Sequence, residues 1–436
     1  MTSTFKVAII GSGISGLSVA HSLAGHADVT LFESGSYFGG HTHTVDITLP
    51  TSSGPVTHGI DTGFLVYNER TYPNLIALFA QLGVQTAKSE MSFSVQVPGA
   101  WNGKTLEWSG TSLSSVFAQR SNLWNPRFLS MLWQMLRFNK VCTQIAATGS
   151  ESKLAQPLSE FLKEHRFNDS FINWYLLPML GCIWSCPTDQ MLQFPVATMI
   201  RFCHNHGLIQ VTNRPQWYTV AGGARHYVDK IVAQITDKRL NTPVQLIERD
   251  DDGVRVITQG KAERFDKIVI ATHAPQALAM LRDASADEQT VMGVLRTQPN
   301  RAVLHTDASV LPSQRSAWAA WNYVRGDSGQ ESGQVCLHYL INKLQPIPFK
   351  QPVIVSLNPS QPIERNCIMG EFEYAHPVFD QAATKAQQQM EDLQGQRHTY
   401  FCGAWLGYGF HEDGLKSGLA VARKMLRALH AQKASV

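Results

Sequence analysis

Lys6-Val-Ala-Ile-Ile10 runs directly into Gly11-Ser-Gly13-Ile14-Ser15-Gly16 and on into Leu17-Ser-Val-Ala-His-Ser-Leu23. The first five residues are an apolar, β-branched run, which reads as a buried parallel strand. Leu17 to Leu23 reads as a helix, and Val29 to Phe32 as a second strand ending on Glu33. The three glycines serve three needs, which are a tight turn, close approach of backbone to a pyrophosphate, and close packing of helix on strand. The helix N-terminus adds unpaired N–H groups and a partial positive charge, which suit phosphate. Glu33 and its neighbour Ser34 lie where a ribose hydroxyl pair is expected. Strand, loop, helix, strand and acid fall in order, so the N-terminal unit reads as a dinucleotide site of a Rossmann-like α/β fold.

A second glycine pair follows at Gly39-Gly40-His41-Thr42. A nicotinamide site has no need of it, whereas an extended FAD runs its pyrophosphate and ribityl chain past this segment. Two further pieces return to the cofactor. One is Phe265-Asp-Lys-Ile-Val-Ile-Ala271-Thr272, expected as one buried strand. The other is Thr399-Tyr-Phe-Cys-Gly403 followed by a helix from Gly414 to His430. Together these segments resemble the flavin amine oxidase, protoporphyrinogen oxidase and phytoene desaturase superfamily, in which a Gly-Gly-Arg-Thr segment follows the acid. The resemblance implies a two-domain flavoprotein with FAD as cofactor. It also implies that Asp413 and Gly414 open a helix directed at the flavin, able to stabilise negative charge on its reduced form. His41 replaces the family's arginine. A free histidine titrates near pH ~6.5 while arginine stays charged, so pyrophosphate binding is expected to lean on backbone amides.

At 436 residues the chain exceeds one ordinary core, and its 44% hydrophobic and 16% charged content describes a well-packed enzyme. The net charge of +3 is too small to suggest nucleic acid, and no basic-aromatic recognition module is present. A strand beginning near residue 5 leaves no room for a signal peptide. Seven cysteines without framework spacing suit a reducing compartment, so a cytoplasmic location is expected. The FAD-binding domain is expected to be discontinuous, over 1–84, 205–280 and 395–436. A mixed α+β substrate domain would occupy 85–204 and 281–394, with the pocket between the two. Trp217 to Val220 reads as a strand and Ala224 opens a helix. Val244 to Arg249 and Val254 to Thr258 form a hairpin on an Asp-Gly turn, with Val244 near the cofactor. Strands are also expected at Ala302–His305, Gln334–Ile341 and Val353–Leu357, whereas 85–205 shows no βαβ order.

Several phrases further resemble a bacterial branch described as NAD/FAD-binding proteins with an amine-oxidase-like domain. They are Asp61-Thr-Gly-Phe-Leu-Val-Tyr-Asn68, Ile183-Trp-Ser185, Asn205-His-Gly-Leu208, Trp321-Asn-Tyr323, His376-Pro-Val-Phe-Asp380 and Gly409-Phe-His-Glu-Asp-Gly414. Genes of that branch stand beside methyltransferases resembling cyclopropane fatty acid synthases, an association that points to acyl chains. In amine oxidases the loop before the last helix carries an aromatic residue against the flavin. Tyr408 and Phe410 are the candidates here, unless they only wedge the loop against the second domain. His305 lies near the family's water-holding lysine position. Either it or Arg301 substitutes, or that mode of oxygen activation is absent; a core histidine bonded to a neighbouring strand is the favoured account.

Cys182, Cys186, Cys203, His204 and His206 match no usual ligand spacing, and no metal is expected. Between residues 108 and 150 there is no acid but Arg120, Arg127, Arg137 and Lys140. Asn125 caps, and Pro126 begins, a helix on which Trp124, Phe128, Met131, Leu132, Met135 and Leu136 form a broad apolar face. Such a helix is expected to be buried with a thin solvent stripe, the alternative being peripheral contact with an anionic membrane. The whole reads as an FAD-dependent oxidoreductase taking a hydride equivalent from a small apolar or lipid substrate, a fatty-acyl chain among the candidates. An amine oxidase, a redox-neutral isomerase and a non-catalytic flavin-loaded lipid-binding protein stay open.

Overall fold

Lys6–Ile10 is the central strand of a five-stranded sheet in the computed structural model, which describes residues 5–149, 156–184, 188–210, 214–326 and 335–434. The order across this sheet is Asp237–Arg239, Asp28–Phe32, Lys6–Ile10, Lys267–Ile270 and Thr399–Phe401, with every pair parallel. Strand alternation splits the apolar residues between two layers. Val7, Ile9, Leu31 and Val269 face Leu17, Leu23 and Leu415 of the helices Ile14–Leu23 and His411–Ala434. Ala8, Ile10, Phe32, Ile268 and Ile270 face Ile247, Val254 and Val256 of a three-stranded antiparallel sheet. Burial on both faces explains why these strands read as continuous apolar runs.

Three boundaries depart from expectation. Phe265 to Thr272 is not one strand: Lys261–Phe265 ends the antiparallel sheet and Lys267–Ile270 begins the parallel one. Asp266 makes the break, its N–H donating to the Lys6 carbonyl and its carboxylate accepting from the Lys6 N–H at 2.7 Å. The last helix starts at His411, not Gly414, and the first at Ile14. Within 85–205, Phe93–Trp101 and Lys104–Ser109 form a hairpin at the edge of a second sheet.

That second sheet has seven strands, in the order Ile368–Pro377, Thr297–His305, Ile354–Leu357, Cys336–Leu340, Trp321–Val324, Phe93–Trp101 and Lys104–Ser109. All pairs are antiparallel except Trp321–Val324 with Phe93–Trp101. The helices of the middle block, Pro126–Ala147, Leu177–Trp184 and Val196–Asn205 among them, pack beside it.

Pro126–Ala147 corrects the sequence reading most sharply. Its cap forms as expected, Asn125 accepting from the N–H groups of Arg127 and Phe128. The buried face, however, carries Gln134 and Asn139 beside Phe128, Met131, Phe138 and Cys142, while Leu129, Trp133 and Leu136 stand in solvent. Counting apolar residues around the helix could not reveal this, because the side facing the protein is set by the partner helices.

Candidate active site

Gly11 leaves the central strand with φ of +99°, and its N–H donates to the Phe32 carbonyl at 2.8 Å. A Cβ at Gly16 would lie 2.0 Å from the Gly11 oxygen, so the helix rests directly on the loop. Gly13 differs: it lines a cavity, and a Cβ there would meet no protein atom within 4 Å. The helix it opens has neither a capping side chain nor an acid in its first turn. Its first N–H groups are thus free for an anion.

Glu33 ties the two glycine loops together. Oε2 accepts from the Ser12 N–H at 3.0 Å and hydroxyl at 2.6 Å, and Oε1 from the Gly35 N–H at 2.8 Å. Ser12 Oγ in turn accepts from the Gly39 N–H at 3.1 Å. Gly40 comes so close that its Cβ would stand 3.1 Å from the Gly13 Cα. The acid expected to hold ribose therefore also builds the loop, a role its position in sequence did not announce.

The cavity these loops open into has a volume of about 740 Å³, within the usual range for small-molecule sites. Gly11, Gly13, Ile14, Ser15, Glu33, Ser34, Gly39, Gly40 and His41 line it, as do Val244, Ala271, Thr272 and Gly403. At its other end stand Tyr408 and Phe410, with Trp184, Phe202, His206, Trp217, Trp321 and Tyr339. Phe202 stacks on Phe410 at 4.9 Å and on His206 at 3.9 Å between ring centroids. Glu33 is the only carboxylate among the described lining residues, and none of them is lysine or arginine.

Five expected site residues stay outside the cavity lining. Gly16 lies beneath the loop. Thr42 Oγ1 is 2.5 Å from the Tyr227 hydroxyl and 3.4 Å from His411 Nε2, bracing the second glycine loop. Asp413 accepts from the Phe410 N–H at 3.0 Å and so shapes the aromatic loop; burial lifts its carboxyl to about 6. Gly414 is a packing residue, since a Cβ there would press within 2.8 Å of Ile14 and 2.9 Å of the Ser15 hydroxyl. The helix end that reaches the cavity is His411.

His305 is the fifth, and the strand phase decides it. Val303 and His305 point to the side holding Leu340 and Ile354, whereas Leu304 shares the other face with Leu357, which lines the cavity. His305 is fully buried, and its Nδ1 accepts from the Asp307 N–H at 3.1 Å. Its Nε2 must then carry the proton and donate to Ser356 Oγ at 2.6 Å, leaving that hydroxyl to donate to His338 Nδ1 at 2.6 Å. The core reading of this histidine holds. Arg301 pairs with Glu371 at the surface, so neither residue takes the expected lysine's place.

His41 is partly buried beside Tyr374, His376 and His273, at 5.3, 5.4 and 6.1 Å between centroids. Burial first, then His376, His273 and His411, hold its pKa well below the ordinary value, while a hydrogen bond to the Ala375 carbonyl pulls the other way. It is a neutral ring whose Nε2 has no partner. Trp184 Nε1 and Trp321 Nε1 are likewise buried without an acceptor. His206, with Nδ1 3.0 Å from the Phe202 carbonyl, is pushed by burial to about 4. Trp184, Phe202, His206, His273 and His376 were not singled out as site residues. Yet Trp184, His206 and His376 fall within the phrases that resemble the bacterial branch, and that was the usable signal. Cys182 lines the cavity and Cys203 is buried, whereas Cys186 lies outside the described residues. No group of three or more potential metal-ligating residues occurs among those described.

The sequence matches the family described as flavin containing amine oxidoreductase over residues 14–304. The chain belongs to that family. No curated protein matches it in sequence. Among solved structures, this flavin amine oxidoreductase is similar to cyclohexylamine oxidase from Brevibacterium oxydans IH-35A (16% identity, TM-score 0.69, 98% of this chain and 100% of that one). It is also similar to a CLA-producing fatty acid isomerase from P. acnes (18%, 0.67, 97% and 99%). Putrescine oxidase bound to putrescine superposes with 13% identity and TM-score 0.66, over 97% and 99%. At these identities the likeness speaks for the fold. The protein is an FAD-dependent oxidoreductase, and the residues present fit that cofactor. The open space at Gly13, the uncapped helix and the unpartnered His41 nitrogen lie along one cavity that continues to an aromatic compartment. No described helix is long and apolar enough to cross a membrane.

Proposed function

We propose that this flavoenzyme acts on a long apolar substrate, a fatty-acyl chain being the chemical class that fits best. The observation carrying this reading is the aromatic compartment itself, walled by Trp184, Phe202, Trp217, Trp321, Tyr408 and Phe410, with no lysine or arginine and no carboxylate but Glu33 among the described lining residues. Apolar walls take the chain, and the described residues at that end include no carboxylate to serve a cationic amine as counter-charge. FAD, when bound, accepts the hydride equivalent. Gly13 and the N–H groups of the first helix would hold its diphosphate, and Glu33 its ribose. The neutral His41 can accept from a hydroxyl through Nε2. Tyr408, Phe410 and Phe202 exclude water and orient the chain, while Asp413 holds the loop of Tyr408 and Phe410.

A redox-neutral double-bond isomerisation is the second reading. It is supported by the absence of any lysine or arginine among the described cavity residues, since no cation is at hand to assist oxygen. The test is anaerobic addition of long-chain unsaturated fatty acids and, separately, of primary and secondary amines, following the oxidised-flavin absorbance and analysing products. Bleaching or a shifted double bond with the fatty acids supports the proposal. Bleaching by amines with silence from the acids would overturn it.

A further inference from the structure

Seven large apolar side chains are exposed among the described residues, and six of them lie between Leu113 and Leu136. They are Leu113 (80% exposed), Leu123, Trp124 (86%), Leu129, Trp133 (62%) and Leu136 (53%). On the helix Pro126–Ala147, Leu129, Trp133, Leu136 and Lys140 follow at steps of four, three and four, which places them on one face. That face lies opposite the buried one that includes Phe128, Met131, Phe138 and Cys142. Single exposed apolar residues need no explanation, but a contiguous group with two tryptophans does.

The charges carried by this segment itself are of one sign. No acid occurs in the chain between Glu107 and Glu151, and Arg120, Arg127 and Lys140 are exposed without an ion pair among the described residues. Arg137 is anchored, donating to the His165 carbonyl at 2.6 Å and lying 4.7 Å over the Phe167 ring. Asp169, on the short helix packed beside this one, is the acid such a surface must accommodate. Exposed tryptophans with basic side chains and no acid in the same segment are the composition of a surface lying in a lipid interface, where indoles sit at headgroup level and cations meet anionic lipid. A second copy of this chain fits less well, because a twofold interface would bring the same-sign charges together.

We propose that Leu113 to Lys140 forms a docking surface for anionic membranes, with Trp124 and Trp133 inserted at the headgroup boundary. The proposal does not depend on the substrate. The inner side of the docking helix packs on Val196–Asn205, the helix whose Phe202 walls the cavity. Membrane contact is therefore one helix away from the site.

The test is flotation of the FAD-loaded full chain with phosphatidylcholine vesicles, with and without phosphatidylglycerol, at low and high salt. The wild type should float with anionic vesicles at low salt and be released by high salt. Trp124→Ser/Trp133→Ser, exposed positions whose replacement should leave the yellow colour and thermal midpoint intact, should lower partitioning at least tenfold. Arg120→Gln, Arg127→Gln and Lys140→Gln should each lower it about fivefold on anionic vesicles. Failure of the wild type to float at low salt would overturn the proposal, as would undiminished flotation of the double tryptophan variant. A wild-type dimer that the tryptophan substitutions convert to monomer would assign the face to a second copy instead.

Discussion

Lowering the pH should destabilise this fold through two histidines that never touch the site. His305 and His338 are both buried, joined through Ser356, and burial holds them at about 4 and about 3. The hydrogen bonds explain why neither ring accepts a second proton. A proton on His305 Nδ1 would face the Asp307 N–H, and one on His338 Nδ1 would face a hydroxyl already used as a donor. Because both native values lie below the unfolded value near 6.5, the unfolded chain takes up two protons that the native state refuses. Stability is thus full above pH ~6.5 and lost as pH falls from there toward ~4. Two protons correspond to a slope of about 2.7 kcal/mol per pH unit, or about 5 kcal/mol between pH ~6.5 and ~4.5. That is comparable with the whole stability of many domains, about 5–15 kcal/mol. The assay is chemical denaturation of the holoenzyme across this range, comparing wild type with His338→Gln. The difference between the two largely cancels the other titrating groups and should fall by about 1.4 kcal/mol per unit of acidification. Parallel pH profiles for the two proteins would refute the reasoning, as would a wild type whose stability does not change between neutrality and pH ~5.

The other predictions concern packing. Gly13→Val should fold normally yet purify colourless, because its side chain enters the cofactor space, whereas Gly16→Val should fail to fold because its Cβ strikes the Gly11 carbonyl; absorbance spectra and yield separate the two. Arg249 is wholly buried and makes a bidentate pair with Glu288 at 2.5 and 2.8 Å, so Glu288→Gln should cost about 3–5 kcal/mol by denaturant titration. A Cβ at Gly418 would stand 2.0 Å from Ser18 Oγ and 2.4 Å from the Ser15 carbonyl. Gly418→Ala should therefore separate the first and last helices at about 1–3 kcal/mol and lower the melting temperature.

The dinucleotide unit was legible because its signals are local. A strand buried on both faces needs an unbroken apolar run, a loop pressed by backbone at Gly11 and Gly16 needs glycine, and both requirements leave their mark within thirty residues. The return strand and the closing strand–helix pair were legible for the same reason, though Asp266 and His411 shifted their limits. What tertiary structure alone decided is the face each element presents. His305 and Leu304 are neighbours in one strand, and only pairing with Ile354–Leu357 sends Leu304 to the cavity side and His305 into a sealed relay. Phe202 carries no site signal in its own segment until Val196–Asn205 is laid against the loop carrying Phe410. On Pro126–Ala147 the sequence determined a capped helix, while its partner helices chose to bury Gln134 and Asn139 and leave Trp133 in solvent. A residue's type and spacing record what its own segment can form. Which side of that segment is covered depends on surfaces contributed from elsewhere in the chain, and those meet only when the whole molecule has folded.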